Sequence, residues 1–334
     1  DGHISIDWKG TSPQVKAAIN GPMPATRSAS YTAVRLAVSG AIPNCEGFMR
    51  AITVTAPEGS IVNPREPAAC GARGILMFRM VDTLLGAFAQ VLPIQIPAAT
   101  EGGSHNPHIA GRHNNNEPFH ISGGLLGSWG GSYHRDGLDG VSNYAANLGN
   151  APIELLEANE PVEITKYSLV QNSGGPGRSR GGLALMRGYR LLADEAVLII
   201  RTDRRTHRPY GLSEGLEGTP SWNIINRTDD QLLLPQCPME STPMMRDDEF
   251  LHVHAGGGGF GDPLERNINS VVEDVRDEYF TAGYAKDVYG VVINEGILDL
   301  DATKTLRDQL KVAPRNDEAY LQHFYNTISI PMPD

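Results

Sequence analysis

Apolar and polar positions alternate from the start of the chain. Ile4 and Ile6 are set against Ser5 and Asp7, which predicts a half-buried strand running into the Gly10-Thr11-Ser12-Pro13 turn. From Pro24 to Val38 the pattern changes to a helical period. Ser28, Thr32 and Arg35 fall on a different face from much of the apolar set, and Gly40 stops the helix. Ala51 to Thr55 reads as a strand ended by Pro57-Glu58-Gly59. The longest apolar-periodic helix runs from Arg73 to Val91, with Met77, Met80, Val81, Leu84, Leu85 and Phe88 crowding one side. Its methionines read as core filler, and Pro93 and Pro97 close the segment.

Beyond about Ala98 the texture turns to glycine, asparagine and short strands. Ile164 to Leu169 and Ala196 to Ile200 are the clearest strands, and a helix is predicted from about Ser270 to Tyr279. Asp287 to Ile293 reads as a tight turn or short helix finishing as a strand. The tail from Asp317 to Asp334, ending in Pro331 and Pro333, reads as peripheral and suited to wrapping a neighbouring subunit. These elements predict an α+β fold in three parts. Residues 1–97 form an α/β-layered part, 98–265 a larger glycine-rich β domain, and 266–334 the C-terminal helices and tail.

The chain of 334 residues has 37 glycines and 23 prolines, which favours tight connections over a helical bundle. Glycine is concentrated from Gly123 to Gly140, from Ser173 to Gly182 and from Gly256 to Gly261. Such density lets backbone approach backbone or ligand closely, so the first two stretches are expected to converge. Gly256 to Gly261 lacks the Gly-Lys-Ser/Thr ending of a phosphate-binding loop, and Pro263 spoils a dinucleotide fingerprint. A structural chain reversal is expected there.

A formal net charge of -11 argues against a nucleic-acid surface. No apolar run approaches the roughly 18 residues of a membrane span. Cys45, Cys70 and Cys237 form neither a metal pair nor a disulfide framework, and read as reduced, mostly buried thiols of a cytoplasmic protein.

Polar residues that could carry chemistry gather near the glycine stretches. His105 and His108, joined by a stiffening Pro107, are candidate metal ligands for zinc, iron or manganese, with His134, Asp136 and Asp139 able to complete a mixed site. The same residue types also cap turns. Asp136 and Asp139 are candidate general bases, with His134 beside them as a proton carrier. Asp203-Arg204-Arg205 follows a strand and reads either as an arginine clamp for an anion or as a local ion pair. Asp203 and Arg204, with Asn143 and Ser128, are the expected substrate-binding residues.

Taken in order, a series of segments resembles the hydantoinase B/oxoprolinase family. It comprises Gly10-Thr11-Ser12-Pro13-Gln14 with Ile19-Asn20, Pro57-Glu58-Gly59-Ser60 with Asn63-Pro64, Asp136 to Gly140, Pro152 to Glu157, and Ser173 to Arg178. Arg180-Gly181-Gly182, Asp203-Arg204-Arg205, Gly256 to Pro263 and Tyr289 to Val292 complete it. The resemblance implies the B-type subunit of an ATP-dependent hydantoinase, oxoprolinase, lactamase or ketone carboxylase. Family members are usually longer at the N-terminus, so the chain is expected to begin partway into the pattern. The His-x-x-Asp metal segment of the family's carboxylases is expected in the earlier portion, which a separate chain could supply. His105 to His108 and Arg112 to Asn116 depart from the expected small-residue texture, marking a changed pocket.

The resemblance further implies a hydantoinase A-type partner that binds ATP and Mg2+ and phosphorylates a carbonyl or enol oxygen, or bicarbonate. An unstrained amide is a poor electrophile, and phosphorylation turns its oxygen into a leaving group. The implied substrate is a small cyclic amide of hydantoin, 5-oxoproline or lactam type. The alternatives are an acetone- or acetophenone-type ketone in a carboxylase, and a scaffold that only holds the ATP-binding partner. A divalent metal on the complex is also implied.

Overall fold

The computed structural model describes residues 2–38, 40–103, 105–124, 127–227, 230–313 and 317–333. Leu125 and Leu126, inside the first glycine-rich stretch, lie outside the described residues, as do the terminal Asp1 and Asp334.

The N-terminal layer follows its periodicity. Strand β1 (Ile4–Asp7) pairs in parallel with β2 (Ile52–Thr55), and helices α1 (Met23–Ala37) and α3 (Arg73–Ala89) pack together, with a one-turn α2 (Glu46–Met49) between. Pro24 sits in the first turn of α1, where its missing N–H costs nothing. Ala29, Ala33 and Ala37 present a flat stripe on α1 to Met80, Val81 and Leu85 on α3.

Beyond α3 two antiparallel sheets face each other. One contains β3 (His108–Arg112), β4 (Pro118–Ser122), β9 (Glu195–Ile199) and β12 (Thr242–Met245), in the order β12-β9-β3-β4. The other contains β7 (Val162–Leu169), β8 (Leu185–Leu191), β10 (Trp222–Asn226), β11 (Gln231–Leu234) and β13 (Glu249–Val253), in the order β11-β10-β13-β8-β7. Phe119, Ile121 and Leu198 of the first sheet meet Tyr189, Leu191 and Phe250 of the second. Strand alternation turns Trp222, Ile224, Leu251 and Val253 to the opposite face, where helices cover them. Two short strands, β5 (Gly127–Ser128) and β6 (Asp139–Val141), and helix α4 (Ile153–Asn159) link these parts.

Helices α5 (Ile268–Arg276), α6 (Ala282–Tyr289), α7 (Leu300–Val312) and α8 (Ala319–Ile328), with the β14–β15 hairpin (Ile293–Asn294 and Ile297–Leu298), complete the chain. The turn expected around Asp287 is the end of α6, closed by Gly290 at φ 63°. The tail corrects the sequence reading. Tyr320, Leu321, Phe324, Tyr325 and Ile328 on α8 are buried in the core behind the five-stranded sheet, so this segment is not peripheral. The cysteines are free, as expected, but Cys45 and Cys237 are exposed where burial was expected. Among the described residues no helix is long and apolar enough to cross a membrane.

The glycine-rich stretches converge on a bundle of extended backbones. Residues 256–261 do not reverse direction there; they run through its middle. Gly257 N donates to Gly182 O at 2.9 Å, Gly258 N to Ala99 O at 2.9 Å, and Gly259 N to Leu216 O at 2.8 Å. Successive residues thus bond to different neighbours, as in a three-fold extended helix and unlike a flat sheet. The two earlier stretches join directly through Gly137 N to Arg180 O and Gly182 N to Trp129 O. A Cβ on Gly181 would collide with the Gly257 carbonyl, and one on Gly256 with the Ser173 carbonyl. Main chain fills the space that side chains fill in an ordinary core.

Candidate functional site

Two buried polar clusters flank this bundle. The first is built on Asp136 and Asp139. The Arg266 guanidinium grips Asp136 through both oxygens at 2.7 and 2.8 Å and reaches Asp274 at 2.7 Å. Arg180 grips Asp139 at 3.2 and 3.3 Å and Asp274 at 3.4 Å. Backbone amides fill more of the carboxylate positions: Arg180 N donates to Asp136 at 2.8 Å and Leu183 N to Asp139 at 2.6 Å. The aspartates outweigh desolvation and push both guanidinium groups up. Every oxygen of Asp136 and Asp139 accepts a hydrogen bond, and these carboxylates tie the bundle to α5 and the loop before it. His134 is exposed, edge-on to Tyr133, and lines a cavity of about 530 Å³ beside Trp129 and Tyr144.

The second cluster lies against the middle of α3. Asp82, on the inner face of α3, pairs with the buried Arg204 and accepts from Thr100 Oγ1 at 2.9 Å. Thr100 Oγ1 in turn accepts from Asn143 at 3.0 Å. Burial pushes Asp82 up and Arg204 down, and each resists the other's shift. Arg204 holds φ 70° and also donates to the Glu101 carbonyl at 3.1 Å. Its guanidinium is therefore engaged inside the protein, which is the ion-pair alternative of the sequence reading. Asp203 pairs outward with Arg79 at 2.7 Å. Ser128 is buried, and its hydroxyl has no hydrogen-bond partner among the described residues.

His105, His252 and His254 are fully buried beside this pair, with Glu101. A backbone amide fixes the tautomers of two of them. Asp203 N can only donate, so His105 Nε2 accepts from it at 3.1 Å. His105 Nδ1 therefore carries the proton and donates to His252 Nε2 at 2.8 Å. His252 Nδ1 then donates to Asn223 Oδ1 at 2.7 Å. Burial holds both imidazoles neutral, pushing His105 down to about 3 against the pull of Glu101, and His252 well below its ordinary range. Burial alone would raise Glu101. The imidazoles of His105 and His254 and the Gly103 amide outweigh it and hold the carboxyl low.

His108 does not join His105. It opens β3, where its Nδ1 lies 3.0 Å from His120 Nε2, and it lines a cavity of about 530 Å³ with Asn106, Arg73 and Arg201. A neighbouring cavity of about 630 Å³ is lined by Arg79, Asp203, His207 and Cys237, and the two share Ile75 of α3. Three arginines, two histidines and one aspartate line these two cavities, although the chain as a whole is acidic.

Sequence reasoning missed His252, His254, Glu101 and Asp82, and the arginines that consume Asp136 and Asp139. One signal was present: His252 and His254 interrupt an apolar strand immediately before Gly256.

Residues 1–263 match the family described as hydantoinase B/oxoprolinase. An uncharacterized protein of Methanocaldococcus jannaschii is 33% identical over 313 residues, covering 92% of this chain and 54% of its own. A Pseudomonas sp. (strain NS671) protein, provisionally named as the B-type subunit of a D-/L-hydantoinase, is 32% identical, covering 91% of this chain and 52% of its own. The crystal structure of the ATP-dependent caprolactamase from Pseudomonas jessenii superposes with a TM-score of 0.81 at 25% identity, over 90% of this chain and 54% of that one. Nucleotide-free acetone carboxylase shares the fold, with a TM-score of 0.77 at 17% identity over 97% of this chain and 49% of that one. The chain spans about half the length of the curated relatives it matches.

Proposed function

The chain belongs to the hydantoinase B/oxoprolinase family, and from that we propose that it acts as the B-type part of an ATP-dependent enzyme opening a small cyclic amide of hydantoin, 5-oxoproline or lactam type. The observation that carries this reading is the likeness to the ATP-dependent caprolactamase over most of the chain. In this reading an A-type partner holds ATP and Mg2+ and transfers phosphate to the amide oxygen, in a cytoplasmic complex. The B-type part contributes to the chamber that receives the activated, anionic intermediate. The cleft along α3 supports such a role, because Arg73 and Arg201 suit a phosphate or carboxylate better than a neutral ligand.

The test is reconstitution with an A-type ATP-binding partner and phosphate-release assays on hydantoin, 5-oxoproline and caprolactam. Phosphate release that requires one of these amides, both chains and ATP is expected. The fold shared with acetone carboxylase makes bicarbonate with a ketone the control arm. Turnover confined to that arm would replace the hydrolase with a carboxylase. Turnover in neither arm, with a complex that still assembles, would leave the chain a scaffold.

A further inference from the structure

We propose that Glu101, His105 and His254 form a divalent transition-metal site, held from behind by His252 and Asn223. The cluster joins three distant parts of the chain: the extended segment after α3, strand β10, and the last residues before the glycine-rich centre of the bundle. One nitrogen from each of the three imidazoles lies within 4.8 Å of the others, and all three rings are fully buried.

His254 is the residue with no other explanation. Neither of its ring nitrogens makes a hydrogen bond among the described residues, although the ring is wholly removed from water. A buried imidazole in that state forfeits its hydration without replacement, and native proteins rarely tolerate this unless an ion or water completes the group. It stacks on His105 at 4.9 Å and lies edge-on to His252 at 4.4 Å, so its position is well defined.

The spacing fits coordination. Glu101 Oε2 lies 3.5 Å from His254 Nδ1 and 3.9 Å from His105 Nε2. Ligand bonds of about 2.1 Å in a tetrahedral site put neighbouring ligand atoms about 3.4 Å apart. An ion between these three atoms takes the place of the Asp203 amide on His105 Nε2. The rest of the network is already arranged for it. With Nε2 on the metal, His105 Nδ1 keeps its proton and its bond to His252, which keeps its own to Asn223. That is the usual outer support of a ligating histidine. Gly103 N likewise orients the Glu101 carboxylate, donating at 3.0 Å. His105 Nε2 already accepts a hydrogen bond in the fold, so no proton need be displaced from it.

Two imidazoles and one carboxylate suit zinc, iron(II) or manganese(II), and exclude neither an extra water nor a substrate oxygen as a further ligand. His108, separated on β3, takes no part.

The test uses the 334-residue chain after chelator treatment and desalting. Zn2+, Mn2+ and, anaerobically, Fe2+ are added in parallel. Retained metal is counted by mass spectrometry, Co2+ serves as a visible-absorption probe, and melting is followed with and without each ion. About one equivalent of at least one ion is expected, with a raised melting temperature and a cobalt band typical of nitrogen and oxygen ligands. The most tightly retained ion identifies the resident one. His254→Phe keeps the ring volume and removes only nitrogens that have no hydrogen-bond partner among the described residues. Glu101 loses the imidazole facing it at 3.5 Å, so a small drop in melting temperature without metal is expected, with retention falling by about a hundredfold or more. Glu101→Gln is expected to weaken retention, and His108→Ala to leave it unchanged. The proposal is overturned by a folded wild-type chain that retains none of the three ions, or by His254→Phe retaining metal like wild type.

Discussion

The two polar clusters beside the glycine bundle contain similar residues and stand in opposite condition. Around Asp136, Asp139 and Asp274, both guanidinium groups and every carboxylate are engaged, in bidentate geometry where the fork allows. Around His105, His252 and His254 the hydrogen bonds run in one fixed direction and stop short of His254. A network engaged at every carboxylate oxygen holds its elements in fixed position. An incomplete buried network carries an energetic cost that a ligand can relieve. Satisfaction of partners, more than residue type, separates a clamp from a site in this molecule.

The sharpest way to break the contrast is to unpair the saturated side. Arg266→Leu leaves Asp136 and Asp274 without their main partner, and a loss of about 4 kcal/mol is expected in urea unfolding. Gly181→Ala tests the bundle that both clusters lean on. Its methyl meets the Gly257 backbone, which no rotamer change can avoid, and a loss of about 3 kcal/mol is expected by the same measurement. Asp139→Asn keeps the shape and removes the charge facing Arg180, with Asp274 still nearby. A loss of about 2 kcal/mol is expected, with turnover of the assembled complex per folded chain within about twofold of wild type. A hundredfold fall in turnover with unchanged stability would instead place Asp139 in the chemistry.

Acidification probes the other cluster. The unfolded chain protonates His105 near its ordinary pKa of 6.5, whereas the folded chain resists until about 3. Stability contributed by the buried neutral ring is therefore complete above pH 6.5 and is lost as pH falls from there toward 3. At pH 5 the loss from this one imidazole is about 2 kcal/mol. Thermal melts from pH 7.5 to 5 should show it in wild type, and a His105→Phe chain should show a shallower slope. The smallest effect is expected at His134. Because it is exposed, His134→Ala should alter stability by less than about 0.5 kcal/mol. Any fall in complex turnover then reports a role in the cleft.

These contrasts also explain which parts of the molecule could be read from its sequence. Helix α3 and strand β9 declare themselves because the pattern that defines each is complete within a few turns or residues. Helix α8 carries an equally clear set in Tyr320, Phe324 and Ile328. Its burial depends on the second face of a sheet whose nearest strand ends at Val253, so Pro331 and Pro333 dominated the reading. The site suffered in the same way. Asp136 and Asp139 looked available because their partners, Arg180 and Arg266, are 41 and 130 residues away. His105 was seen, but its neighbours in space are His252 and His254, not the adjacent His108. Separation of 147 residues between His105 and His252 hides a contact that no local period reports.

The central segment of the bundle has one more consequence, for the order of assembly. Gly257 to Phe260 supply acceptors and donors to residues around 99, 131, 175, 182 and 212, all made earlier on the ribosome. Until residue 260 emerges, those strands lack the partner that lies between them. Closure is therefore a late event spanning nearly half the chain, and contacts of such long range slow folding. A growing chain must keep its flexible glycine arms apart from other proteins during that wait, which makes the nascent form a natural client for chaperones.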